Sequence, residues 1–116
     1  MPQVLQGNKA SKGVVRGTAI VIASTEELSL WKFTKENNSI DDAILVTRMT
    51  DPNYLPIMVD AAGIVTEIGG RTCHAAIVAR ELGTPAVINL PDAMRLLDGK
   101  EISIDGSSGE VTIHDA

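Results

Sequence analysis

Aromatic side chains are almost missing from this chain, which holds one Trp, one Phe and one Tyr, at Trp31, Phe33 and Tyr54. Stacking platforms for bases or sugar rings are therefore not expected, and the core has to be built from Val, Ile, Leu, Ala and Met. Cysteine is equally scarce. The lone Cys73 excludes an internal disulfide and any zinc site of the multi-cysteine type, and it fits a reducing compartment. No apolar run is long enough to cross a bilayer, and the opening MPQVLQGNKASKG has no apolar centre of the kind a secretory leader needs. A cytoplasmic location is the expectation. There is no basic run either, and the net charge of −5 speaks against nucleic acid or an anionic membrane as partner.

What is present reads as one module. The 116 residues are the size of one domain, short for an enzyme that must bind two large substrates. VVRGTAIVIA, Val14 to Ala23, is rich in β-branched residues and predicts a strand, with Gly17 as a bulge. Ser24 or Thr25 then caps a short helix that carries Glu26 and Glu27 in its first turn. AILVT, Ala43 to Thr47, predicts a buried strand. Asp51 and Pro52 are a cap and first position for the next helix. GIVT predicts a strand, and Gly69 and Gly70 lead to a helix from about Cys73 to Leu82, stopped by Gly83 and Pro85. PAVIN predicts a strand, DAMRLL a short helix, and EISID and EVTIH a hairpin closed by GSSG. Strands alternate with short helices, so the fold class is α/β, a layered mixed sheet with short helices.

The junction GGRTCHAAIVARELGTP concentrates the polar chemistry. At about 100° per residue, Ala75, Val78, Ala79 and Leu82 share the face that must meet the sheet, and His74 projects about a quarter turn away from its centre. The first turn of a helix offers unpaired N–H groups to an anion. Gly69 and Gly70 let main chain approach closely, and Thr72 can cap the helix or bond a phosphoryl oxygen. A plainer reading stands beside this: a lone histidine at a helix start is most often a surface residue or a cap, Thr72 an N-cap, Cys73 an apolar filler, and Arg71 and Arg80 solvated or salt-bridged surface residues. No metal site is expected. Cys73 and His74 point about 100° apart on a helix, and His114 has no partner spacing.

GGRTCHAAIVARELGTPAV resembles the phosphohistidine motif of the phosphoenolpyruvate-utilising enzymes, and its Thr-Cys-His triplet is similar to that of the synthases among them. GNKASKGVVRGTA, DDAILVTRMTDPNYLPIM, AAGIVTEIGG and LDGKEISIDGSSGEV resemble successive segments of the same domain, so the resemblance covers nearly the whole chain. Lys12 stands where the family often has Pro. The resemblance implies a swivelling β/β/α phosphohistidine domain over residues 1–116, either part of a larger enzyme or working in trans with one. It implies that His74 is the phosphoryl acceptor, that Thr72 contacts the phosphoryl group and is a site for regulatory phosphorylation, and that Gly69, Gly70, Arg71 and Cys73 form the phosphate loop. It also implies partners: an ATP-binding domain, a TIM-barrel domain for pyruvate or phosphoenolpyruvate, and a regulatory kinase. This domain is expected to bind no cofactor, with Mg and ATP on the partner domains, and not to turn over alone. Two alternatives remain: a carrier domain with an antibiotic or glucan as final acceptor, and a catalytically silent relative used for binding or regulation.

Overall fold

The computed structural model describes residues Pro2 to His114. Eight strands form one sheet: β1 (Gln3–Gln6), β2 (Asn8–Ser11), β3 (Val14–Val21), β4 (Ala43–Thr47), β5 (Gly63–Thr66), β6 (Ala86–Ile88), β7 (Glu101–Asp105) and β8 (Glu110–His114). Four helices accompany them: α1 (Leu30–Asn37), α2 (Leu55–Asp60), α3 (His74–Leu82) and α4 (Ala93–Leu97). The strand order is β1-β8-β7-β3-β4-β5-β6-β2. Strands β3 to β6 run parallel, whereas β7, β8 and β1 on one side and β2 on the other are antiparallel.

The composition of each strand explains its depth. Every residue of AILVT in β4 and of GIVT in β5 is buried, as parallel strands covered on both faces require. In β7 and β8 only alternate residues are buried, the signature of a hairpin with one face in the core. Period-two alternation then sorts the side chains into two cores. Ile20, Ile22, Leu45 and Ile64 pack with Trp31, Met58, Ala75 and Ala79 against the helices. Ile44, Val46, Val65 and Val87 pack with Ile102, Ile104, Val111 and Ile113 of the hairpin and with Leu97 of α4. The mixed α/β architecture thus has three layers: the hairpin with α4, the parallel strands, and helices α1 to α3.

Two consecutive strands, β1 and β2, were not anticipated from the sequence. They lie at opposite ends of the strand order yet are separated only by Gly7, so the sheet has to curl until its two edges come together. Gly7 makes that meeting possible. Its N–H bonds the Gly109 carbonyl at 2.8 Å, and a Cβ there would fall 2.7 Å from Val87 Cγ1.

The predicted boundaries hold with specific amendments. Ser24 sits at the start of a 3-10 turn, Thr25–Glu27, ahead of α1, but its side chain makes no capping bond. The Glu27 carboxylate reaches back instead to the Ala23 N–H at 3.1 Å. Gly17 is not a bulge: its register with β7 is continuous, and a side chain there would run into the Asp42 carbonyl. Asp51 does cap, accepting from the Asn53 N–H at 2.8 Å, with Pro52 at the first position of a 3-10 turn that leads into α2.

Candidate functional site

The C-terminal ends of β4 and β5 stand side by side, Thr47 opposite Thr66, and the loops that leave them are tied together. Main-chain N–H groups of Glu67 and Ile68 both donate to the Arg48 carbonyl, at 3.1 Å each. The Thr66 hydroxyl turns its own loop by donating to the Ile68 carbonyl at 2.9 Å. One loop delivers Thr50, held in place by the Asp51 cap that follows it. The other delivers His74.

The approach to His74 depends on Gly69. Its φ of +145° is a backbone region that side-chain-bearing residues rarely adopt, and a Cβ there would lie 2.9 Å from Cys73 Sγ. Gly70 meets no such demand, because nothing lies within 4 Å of where its Cβ would be. Gly70 to Cys73 form a turn closed by a 3.0 Å bond from the Cys73 N–H to the Gly70 carbonyl. Thr72 lies inside that turn and is exposed. It is not the helix cap. Cys73 holds that position, with extended backbone and no side-chain capping bond, so the first-turn N–H groups of α3 are not covered by a hydroxyl.

His74 is the first residue of α3 and half-buried. Its Nδ1 lies 2.8 Å from the Thr50 hydroxyl, and Thr50 itself is 5% exposed. Its Nε2 makes no hydrogen bond among the described residues. Thr50 was not singled out in the sequence, since 24 positions separate it from His74 and a threonine in a polar loop carries no distinguishing pattern.

The helix wheel requires one correction. Ala75 and Ala79 are buried as expected and Val78 is half-buried, but Leu82 is 41% exposed and Ala76 takes its place at 0%. Helix α3 packs against β2 as well as β5 and β6, which widens the buried stripe towards Ala76, while the last turn leaves Leu82 outside it. Alanines at these contacts let the helix lie close to the sheet. Arg80 is exposed, but its guanidinium clamps two segments, donating to the Ala10 carbonyl at 2.9 Å and to the Arg71 carbonyl. At the far end Gly83 adopts φ +71°, the left-handed stop read from the sequence.

The second histidine is engaged elsewhere. His114 Nε2 bonds the Ser103 hydroxyl at 2.7 Å within the β7–β8 hairpin. Among the described residues no group of three or more His, Cys, Asp or Glu could hold a metal ion, and no helix is long and apolar enough to cross a membrane.

Comparison with known families supplies the chain's family. Residues 40–109 match the model of the PEP-utilising enzyme mobile domain. The chain belongs to that family. It is 46% identical over 109 residues to the phosphoenolpyruvate synthase of Aeropyrum pernix, a match covering 93% of this chain and 12% of that protein. It is 38% identical over 112 residues to the rifampicin phosphotransferase of Bacillus cereus, covering 96% of this chain and 12% of that protein. The matches thus span about an eighth of the length of these relatives. Among solved structures, the N-terminal domain of Enzyme 1 - Nitrogen superposes with a TM-score of 0.74 at 12% identity, covering 94% of this chain and 93% of that one. At that identity the likeness is one of fold.

Proposed function

We propose that this chain is a phosphohistidine carrier: His74 accepts a phosphoryl group at one site and surrenders it at another, both sites lying on other domains. The observation that carries this reading is the polarity of the His74 ring. Nδ1 is tethered to a buried hydroxyl while Nε2, the nitrogen farther from the main chain, has no partner among the described residues. With Nδ1–H donating to Thr50, the Nε2 lone pair is left to act as nucleophile. Attack on a phosphoryl donor forms the P–N bond as the P–O bond to the leaving group breaks, and the reverse attack by the acceptor restores the free imidazole.

Positioning is the larger part of such a transfer, because the reacting phosphorus needs in-line geometry and compensation of charge on its oxygens. Here Thr50 fixes the ring's rotation and the uncapped first turn of α3 offers N–H groups beside it. Thr72 is exposed two residues before the histidine, which supports reading it as a contact for the transferred group and as a residue that a regulatory kinase could reach. ATP with Mg, and pyruvate, would bind on an ATP-binding domain and a TIM-barrel domain. The similarity to the Aeropyrum synthase favours pyruvate as acceptor; the similarity to the Bacillus phosphotransferase supports an antibiotic acceptor as second reading. The carrier step is the same in both, and the acceptor would be chosen by residues outside this chain.

Incubation with phosphoenolpyruvate and the cognate partner domains tests the proposal. The label on this chain should be acid-labile and base-stable, as a P–N bond is, and should map to His74. Label that survives His74→Ala would overturn it.

A further inference from the structure

The lysines and arginines of this acidic chain are unevenly placed. A cleft of about 1340 Å³ between β2, the glycine loop before α3 and the β7–β8 turn is lined by Lys9, Lys12, Arg71 and Arg80. That is four of the ten basic residues, and none of the fifteen acidic ones lines it. Ion pairs among the described residues occupy Arg16, Lys32, Lys35 and Arg95. The four cleft cations pair with no carboxylate there. Like charges gathered without a counter-charge repel one another, and an anion between them relieves that repulsion.

The neutral groups of the cleft point the same way. Thr72, Ser107 and Ser108 line it as well. The Ser108 oxygen already accepts from the Glu110 N–H at 3.2 Å and the Ser107 oxygen from the Gly13 N–H at 3.4 Å, which leaves each O–H free to donate. The Asp105 carboxylate, outside the lining, accepts from the Ser107 N–H at 2.9 Å; cations and hydroxyl donors with no acidic group in the lining itself select an acceptor-rich ligand. The Ala10 carbonyl on β2 already accepts from Arg80, so one main-chain acceptor that an added peptide strand would use is engaged. No aromatic side chain lines the cleft to stack a base. His74 is not part of its wall.

From these observations we propose that the cleft is a binding site for an oligophosphate chain, separate from the nitrogen at which His74 reacts. Lys9 and Lys12 approach it from the β2 side and Arg71 and Arg80 from the helix side, so a chain of several phosphates spans them better than one. Arg80 is held ready by its two carbonyl contacts.

Titration of the 15N-labelled chain with sodium tripolyphosphate at low salt tests this. Saturable shifts should cluster on Lys9, Lys12, Thr72 and Ser107, and should weaken as salt is raised. Lys9→Glu with Lys12→Glu should weaken binding about tenfold or more. Arg71→Gln gives a second reading should the double variant fold poorly. Lys100→Glu, which removes an exposed cation outside the cleft, should change affinity less than about twofold. An ADP arm distinguishes sources: ADP binding more tightly assigns the phosphates to a nucleotide, tripolyphosphate binding more tightly to a free polyanion. His74→Ala should leave the binding intact, so failure here and failure of the carrier reading are separable. Shifts spread over all lysines, equal loss in Lys100→Glu, or saturation by a glutamate-rich peptide but not by tripolyphosphate would each overturn the proposal.

Discussion

The two histidines of this chain sit in opposite arrangements, although each is bonded to a hydroxyl at nearly the same distance. His114 stands on β8 and meets Ser103 through Nε2 at 2.7 Å. His74 opens α3 and meets Thr50 through Nδ1 at 2.8 Å. The hydroxyl therefore engages the outer nitrogen of His114 and leaves Nδ1 close to its own main chain, whereas it engages the inner nitrogen of His74 and leaves Nε2 outward. On the carrier reading proposed above, a hydrogen bond by itself does not distinguish the two histidines; which nitrogen the bond consumes does.

Substitutions should separate the pair. The largest effect is expected on phosphoryl labelling in the presence of partner domains: His74→Ala should abolish it and His114→Ala should leave it unchanged. Next comes the hydroxyl. Thr50→Val should slow phosphorylation of His74 roughly ten- to a hundredfold by releasing the ring, while Ser103→Ala should not alter the rate. A 15N spectrum sharpens the same contrast, since the proton of neutral His74 should reside on Nδ1; a proton found on Nε2 would mean that Thr50 donates and would remove the basis for an outward nucleophile.

Smaller effects should appear within the loop. Gly69→Ala, with φ +145° and a Cβ pressed on Cys73 Sγ, should cost about 1–3 kcal/mol of unfolding free energy, whereas Gly70→Ala should be nearly neutral. Denaturant titration of both decides whether the glycine pair is one requirement or two.

The smallest effect lies away from both histidines. Asp60 ties α2 to α1, its carboxylate 2.7 Å from Lys35 Nζ and 2.8 Å from Trp31 Nε1. The hydrogen bond from Lys35, then that from Trp31, holds its pKa below the usual carboxylate range. A lowered folded pKa means that this contribution is present above the ordinary carboxylate pKa and is lost as pH falls through the folded value. Asp60→Asn should accordingly reduce stability at neutral pH and flatten its decline in acid, as thermal melts across that range would record.

Local chemistry made part of this readable. The end of the helix at Leu82 could be read because Gly83 can turn left-handed and Pro85 cannot continue a helix, while its start, read at about Cys73, lies one residue later at His74. The Asp51-Pro52 start was legible because capping acts over two or three residues. Short-range rules missed β1 and β2, since QVLQ and NKAS lack strong alternation and pair only with distant β8 and β6. They also placed Leu82 inside and left Ala76 unassigned, because the wheel gives a periodicity but not the number of neighbours a helix meets.

By itself the sequence determined the alternation of strands and helices, the stop and start signals at their ends, and the resemblance that singles out His74. Each of these rests on interactions between residues a few positions apart or on residue identities alone. Only the tertiary structure decided that Thr50 claims Nδ1 of His74, that Gly69 and not Gly70 is sterically required, and that four cations scattered from Lys9 to Arg80 share one cleft. The physical reason is common to all three: hydrogen bonds, steric contacts and electrostatic fields act over distances in space, and the curled sheet brings together residues that the order of the chain keeps apart.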